Sequence, residues 1–203
     1  YYTSIKAANL FLENVDQNTE LQEGLKNRMK AEARFARAFH HFKLMNWWGD
    51  VPMLSKDITP DEAKTIARTP KADVLKFILD ELDAVAAALP AKQSYAESDR
   101  GRITKAAALA LKARVLLYEG DRMQEVVAIC EELMNNQNVN GTYSLASGYS
   151  ALFAPGNEYN NEVIWDLQYV PNLRTWGEYI DFAPISAGAR SNNLSPTQEL
   201  VDS

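Results

Sequence analysis

The chain has 203 residues, 46% of them hydrophobic and 24% charged, the composition of a globular protein long enough to bury a core. Its net charge of −6 and pI near 5.0 leave no basic surface to neutralise phosphates, which argues against a nucleic-acid partner. No uninterrupted apolar run reaches the roughly 18 residues a membrane-spanning helix needs, and a single cysteine, Cys130, rules out an internal disulfide and reads as a small core hydrophobe on a helix.

Ile5, Ala8, Leu12 and Val15 recur at helical spacing and predict a first helix over Tyr2 to Val15. A longer helix is predicted from near Thr19 to Trp47, with Leu21, Leu25, Met29, Ala36, Phe39 and Phe42 down one side; Gly49 stops it and Pro52 follows. Ser55 to Arg68 lacks a sustained apolar face and reads as a connector, within which Thr59-Pro60-Asp61-Glu62 has the residues of a capping box. Thr69-Pro70 offers a hydroxyl cap and a proline at the first helical position, and Leu75, Ile78, Leu82, Val85 and Leu89 follow as far as Pro90. The polar stretch Lys92 to Gly101 is a predicted loop. Thr104 to Glu119, rich in alanine and leucine, is a predicted helix closed by Gly120, and Met123 to Asn135 is the next, with Val126, Val127, Ile129, Cys130 and Leu133 as its buried set.

Alanine-rich helices approach closely, so these last two should form a tight antiparallel hairpin through Gly120-Asp121, the unit of a tetratricopeptide-like array. The repeat signature is weak and one residue out of step. Pairing the first two helices and the next two extends the hairpin into a right-handed stack, so the fold class is mainly α, an α-α superhelix. After Asn135 the character changes to Asn, Gly, Tyr, Ser and Pro, with one helical turn near Tyr149 to Phe153. Strict alternation over Glu162 to Tyr169, with Val163, Trp165, Leu167 and Tyr169 on one face, predicts a short strand. The remainder to Ser203 reads as loop, with a helix start at Ser195-Pro196-Thr197.

Five ordered blocks carry a resemblance. They are Tyr2-Thr3-Ser4-Ile5 through Asn9 and Phe11-Leu12; Glu32-Ala33-Arg34-Phe35-Ala36-Arg37-Ala38-Phe39 with Phe42, Leu44, Trp48 and Gly49-Asp50-Val51-Pro52; Gly101-Arg102-Ile103-Thr104-Lys105 with Ala108, Ala110-Leu111, Ala113-Arg114-Val115 and Leu117-Tyr118; Asn161-Glu162-Val163-Ile164; and Pro196-Thr197-Gln198-Glu199-Leu200-Val201. In this order they resemble the SusD/RagB family of nutrient-binding lipoproteins at the outer-membrane surface of Bacteroidota. The resemblance implies a protein of polysaccharide utilisation that captures a glycan, makes or breaks no bond, needs no cofactor, and sits over a SusC-like TonB-dependent transporter. It implies membrane association through an N-terminal lipid. The chain starts at Tyr1 without Met, signal peptide or lipid-acceptor cysteine, so that segment is expected to lie outside it. Family members are usually longer, and the chain is expected to be one incomplete SusD-like domain, with 1–135 as helical scaffold and transporter-facing surface and 136–203 as the ligand region.

Sugar binding needs flat apolar faces for pyranose C–H groups and a few directed polar groups for hydroxyls. Trp176 and Tyr179 lie in Pro171 to Asp181, which has no periodicity to bury them, and are the leading ligand candidates, with Arg174 and Asn172 as hydroxyl-binding partners. Tyr159, beside Asn160 and Asn161, is a weaker one. Trp165 and Tyr169 read as core, and Trp47 and Trp48 as wedges under the Gly49 to Pro52 turn. Glu32, Arg34, Arg37, Arg102 and Arg114 fall within apolar helical blocks and are expected to be buried or half-buried charges bonding a loop backbone or a neighbouring helix. His40 and His41 are adjacent and point about 100° apart on a helix, so with one cysteine and no paired-ligand spacing no zinc site is expected, while the Asp- and Asn-rich loops leave calcium undecided.

Two other readings compete. A glycoside hydrolase needs two carboxyls about 5–10 Å apart, and Asp166, Glu178 and Asp181 are the residues that would supply them. A helical-repeat protein-interaction scaffold accounts for residues 1–135 but leaves the aromatic, non-repetitive region without a role.

Overall fold

In the computed structural model, which describes residues 1–136, 140–154, 156–169 and Ser186, the described residues form helices and loops, apart from one isolated antiparallel bridge between Val51 and Thr69. The chain divides into two units, Tyr1–Asp166 and Leu167–Ser203. Of the second, only residues 167–169 and Ser186 are described.

The first unit is a succession of helices: α1 (Tyr2–Asn14), α2 (Glu23–Trp48), α3 (Pro60–Thr65), α4 (Lys71–Ala88), α5 (Lys105–Glu119), α6 (Met123–Asn135) and α7 (Tyr149–Leu152). Each long helix packs on the one before it, α1 on α2, α2 on α4, α4 on α5 and α5 on α6. One continuous core runs through the stack, with Ile5, Phe35, Ile78, Leu82, Val115 and Leu116 all but inaccessible to water. Each such side chain contributes about 1.5–3 kcal/mol by leaving water. Ala106, Ala107, Ala108 and Ala113 are the small buried residues that let α5 lie close to its neighbours.

Local signals explain most boundaries. Thr59 accepts from the Glu62 amide while Glu62 accepts from the Thr59 amide, the expected capping box of α3. Thr104 accepts from the Ala107 amide at 3.2 Å and starts α5. Gly120 ends α5 at φ 81°, a left-handed conformation that a side chain would strain, and the chain turns back into α6.

Elsewhere tertiary contacts override the local reading. The start of α2 falls at Glu23 because the Asn18 side chain accepts from the amides of Glu20 and Leu21, holding 18–21 in a turn. Its buried side is also rotated from the expected one. Lying between α1 and α4, α2 buries Ala31, Phe35, Ala38, Phe42 and Met45 together with Arg37 and His41, while Leu21, Leu25, Met29, Ala36 and Phe39 are only partly covered. At α4, Thr69 is not the cap: its amide and carbonyl pair with Val51, and its hydroxyl accepts from the Met53 amide at 3.4 Å. Pro70 takes the capping position, and the Lys71 amide is served instead by Asp50 Oδ1 at 2.8 Å.

Four further expectations are corrected. Residues 162–169 form no strand, because no neighbouring backbone pairs with them among the described residues; the carbonyl of Val163 accepts from the Lys92 ammonium. Within that segment Ile164 packs on the core, whereas Trp165 and Tyr169, read as core, are 37% and 46% exposed. Trp47 and Trp48 do not wedge the turn but project at 69% and 56% exposure, and Cys130 is exposed on the outer side of α6 beside Val127, since only Ile129 of that helix is fully buried.

A polar network crosses the core. Arg37 donates to Glu81 Oε2 through Nε at 2.9 Å and Nη2 at 2.6 Å, and through Nη1 to Asn9 Oδ1 at 2.8 Å and the Ser55 carbonyl at 2.9 Å. Arg34 donates twice to Glu81 Oε1, at 3.0 and 2.7 Å. Asn9 Nδ2 reaches the carbonyls of Leu54 and Lys56 at 3.0 and 2.8 Å. The expectation for Arg34 and Arg37 therefore holds: α1, α2, α4 and the segment 54–56 share one set of charges.

His41, one turn beyond Arg37, is fully buried; its Nδ1 donates to the Arg37 carbonyl at 2.8 Å and its Nε2 accepts from the Leu54 amide at 3.2 Å. That arrangement requires the neutral ring, and burial holds its pKa below the ordinary 6.5.

Replacing Glu81 by Gln leaves the buried Arg37 guanidinium without its carboxylate, and urea unfolding should show a loss of about 3 kcal/mol or more. For His41 the unfolded chain takes up its proton before the folded one does. Its stabilising contribution is therefore complete above the ordinary 6.5 and declines as pH falls below it. Urea midpoints measured from about pH 7 down to about pH 5 should drop in the wild type and drop less in His41→Gln, which keeps an acceptor for Leu54.

Candidate functional site

Three loops meet the helical stack, and charged side chains hold each. The first, 49–58, leaves α2 at Gly49 (φ 69°) and is pinned by Asp50, His41, Asn9 and Arg37 as described.

The second, 92–104, is fastened to α2. Arg102 donates to Glu32 at 2.8 and 3.1 Å and to Asp99 at 2.8 Å, and Arg28 pairs with Asp99 at 3.0 Å. Glu32 is half-buried as expected, whereas Arg102, also expected to be half-buried and to bond a loop backbone or neighbouring helix, lies at the surface and pairs with the Glu32 side chain. The hydrogen bond from Arg102 lowers the Asp99 carboxyl below the usual carboxylate range, and the bond to Glu32 raises the Arg102 guanidinium. Beneath them Tyr95 donates to the Ile103 carbonyl at 2.7 Å, with Arg28 over its ring; burial, reinforced by the nearby Glu32 charge, pushes its phenol up to about 12.

The third, 140–166, carries the cleft. Ser144 donates from its amide to the Asn161 carbonyl at 3.0 Å, and Ala146 to Glu162 Oε2 at 2.7 Å. Asn160 Oδ1 accepts from the amides of Glu162 and Val163, and its Nδ2 donates to Asn157, whose own side chain donates to Ala151 at the end of α7. Between this loop and the sides of α2 and α5 lies a cleft of about 760 Å3.

Phe39, Phe153 and Trp165 give the cleft its apolar surface; Arg114, Asn157 and Glu158 give it polar groups. Trp165 meets Phe35 and Phe39 edge-on, with centroids at 5.2 and 5.9 Å, which fixes the indole while leaving it 37% exposed. Phe153 is 69% exposed. Arg114, expected to bond a loop or helix, instead is exposed in the cleft with no ion pair among the described residues. A flat indole, an exposed phenyl ring and directed donors and acceptors form the chemistry that stacks on and hydrogen-bonds a sugar.

Trp176, Tyr179, Arg174 and Asn172 lie outside the described residues, as do Glu178 and Asp181. Tyr159 is described; it lies under the Arg100 guanidinium at 5.1 Å, with its backbone at φ 60°. The cleft residues escaped the sequence reading because alternation assigned Trp165 to a core face. The available signal was Tyr149 and Phe153, four apart on a helical turn outside the stack, edge-to-face at 5.2 Å. Among the described residues no three His, Cys, Asp or Glu side chains converge on a point where a metal ion would sit.

Residues 1–117 match the SusD-like family described as "Starch-binding associating with outer membrane". The chain belongs to the SusD-like family. Over 85% of its length it is 31% identical to "SusD-like protein P25" of Formosa agariphila, of which it spans 32%. A crystal structure of a SusD-like carbohydrate-binding protein from Bacteroides fragilis superposes with a TM-score of 0.76 at 31% identity, covering 83% of this chain and 32% of that one. A laminarin-binding SusD-like protein superposes equally well, with a TM-score of 0.76 at 26% identity over 83% of this chain and 36% of that protein. The tetratricopeptide-like helical fold is thus the fold of SusD-like proteins, and the family associates with the outer membrane. No helix among the described residues is long and apolar enough to cross a membrane.

Proposed function

We propose that this SusD-like chain takes part in non-catalytic capture of glycan at the bacterial outer-membrane surface, anchored by an N-terminal lipid outside the chain, for delivery to a SusC-like TonB-dependent transporter. The observation that carries the reading is the match of residues 1–117 to a family described by starch binding and outer-membrane association. The laminarin-binding relative supports it from the side of structure.

Capture asks for surfaces that stack and hydrogen-bond, with no acid and base arranged across a glycosidic bond. The cleft supplies such a surface in Trp165 and Phe153 with Arg114 and Asn157 at hand. We assign the same role to Trp176 and Tyr179, with Arg174 and Asn172 meeting hydroxyls. Exposed sugar sites exchange hydrogen bonds to protein for hydrogen bonds to water with small net gain, so each stacked ring carries a large share of the affinity.

The test is retardation of the purified chain in native gels containing soluble polysaccharides, run beside Trp165→Ala and Trp176→Ala. We expect at least one glycan to retard the wild type, and each substitution to weaken that retardation by about tenfold in apparent affinity. Release of reducing sugar from the retarding glycan would overturn capture in favour of hydrolysis, and peptide binding without any glycan binding would favour a helical scaffold.

A further inference from the structure

Lys92 belongs to none of the aromatic or polar groups that meet the cleft, yet it organises the loop that forms the cleft wall. It stands in the 3-10 turn Lys92–Ser94, just beyond Pro90 at the end of α4. Its ammonium donates to the Asn160 carbonyl at 2.9 Å and to those of Tyr159 and Val163 at 3.4 Å each, and lies 5.3 Å from the centroid of the Tyr143 ring. Three backbone carbonyls and an aromatic face around one cation make a cage of the kind a loop otherwise builds around a metal ion.

Gly141, at φ 119°, closes the cage from behind: a Cβ there would meet the Tyr143 ring at 2.9 Å and the Lys92 Cβ at 3.2 Å. The neighbouring Tyr159 has a left-handed backbone that a non-glycine residue rarely adopts unless its surroundings impose it. Here they do so twice, through Lys92 on its carbonyl and Arg100 over its ring. Burial, with the nearby Arg100 charge, lowers the Lys92 pKa, in keeping with an ammonium partly withdrawn from water by these contacts.

We propose that Lys92 is a positioning residue for ligand binding: its ammonium gathers the carbonyls of residues 159, 160 and 163, and so sets where Asn157, Asn160 and Trp165 stand in the cleft. The role of the clamp in binding rests on the glycan-capture reading, whereas the clamp itself does not. A site built on loops keeps its geometry only through such supporting contacts.

Lys92→Met keeps the length of the side chain and removes its charge; Lys92→Arg keeps the charge. Hydrogen exchange of the purified chain should rise by about tenfold or more over residues 157–163 in Lys92→Met, with α4 and α5 unchanged, and return toward wild type in Lys92→Arg. Retardation by the glycan that binds the wild type should weaken in Lys92→Met and be restored in Lys92→Arg. Unchanged exchange over 157–163 would overturn the clamp. Faster exchange with undiminished retardation would overturn its role in binding. If no glycan retards the wild type, the capture reading fails and takes the binding role with it, while exchange still decides the clamp. Should Lys92→Met lose helical circular dichroism, Arg100→Gln tests the same loop from the other contact, with a smaller rise in exchange expected over the same residues.

Discussion

The Arg37–Glu81 pair is the contact around which the first unit is arranged. Burying both charges is costly, and the attraction between them offsets that cost only when every remaining donor and acceptor finds a partner. Here they do. Glu81 takes four N–H groups from two arginines, and Arg37 spends its other nitrogen on Asn9 and on the Ser55 carbonyl. Such a set is satisfied in a single register of α1, α2 and α4, so it specifies the stack where interchangeable apolar contacts would allow sliding. The same set fixes the path of 54–56, whose carbonyls serve Asn9 and Arg37 and whose Leu54 amide serves His41. A scaffold helix and a connecting loop are thereby made one cooperative piece.

A second layer of charges repeats the device farther along. Arg102, Asp99, Arg28 and Glu32 tie 92–104 to α2, and Lys92 ties 159–163 to that loop in turn. Order passes outward from the helical core to the loop bearing Trp165 through cations placed on carboxylates and then on carbonyls. Hydrogen bonds to charged groups are stronger than neutral ones, which suits segments that have no ladder of their own to satisfy their backbone.

The helices were legible in the sequence because their determinants are local. Thr59 and Thr104 cap, Gly120 stops, and Ile78, Leu82 and Val85 repeat at helical spacing; all are found in place. What the sequence hid depends on distant partners. Asp50 caps α4 from 21 residues away. On α2, packing on two sides buries Arg37 and His41 and leaves Phe39 partly open, which a single apolar stripe cannot forecast. Alternation over 162–169 has the pattern of a strand, but a pattern without a neighbouring strand has nothing to pair with, and a lysine served Val163 instead. Cys130 shared the apolar spacing of α6, yet α6 packs on α5 along one side, so Val127 and Cys130 of that apolar set face outward. The cleft was the least legible, since it is made where a loop crosses two helices.

The residues that carry the resemblance and those that line the cleft overlap only in part: Phe39 and Arg114 belong to both, whereas the charges of the buried network stand away from the cleft. Asn9, Glu32, Arg34, Arg37, Asp50, Arg102 and Thr104 all stand in the blocks that carry the resemblance, and each makes a cap or a long-range charged or polar contact. Arg37 and Asn9 above all are held by partners on more than one element at once. Phe153 and Asn157 lie outside the blocks, and so does Trp165, the residue just after Asn161-Glu162-Val163-Ile164; all three line the cleft, and the loop that carries them is met by the Lys92 ammonium at the Asn160 carbonyl. The residues 1–117 that match the family contain this charged network. A loop can change without disturbing Arg37 and Glu81, and this separation lets one helical frame carry different surfaces.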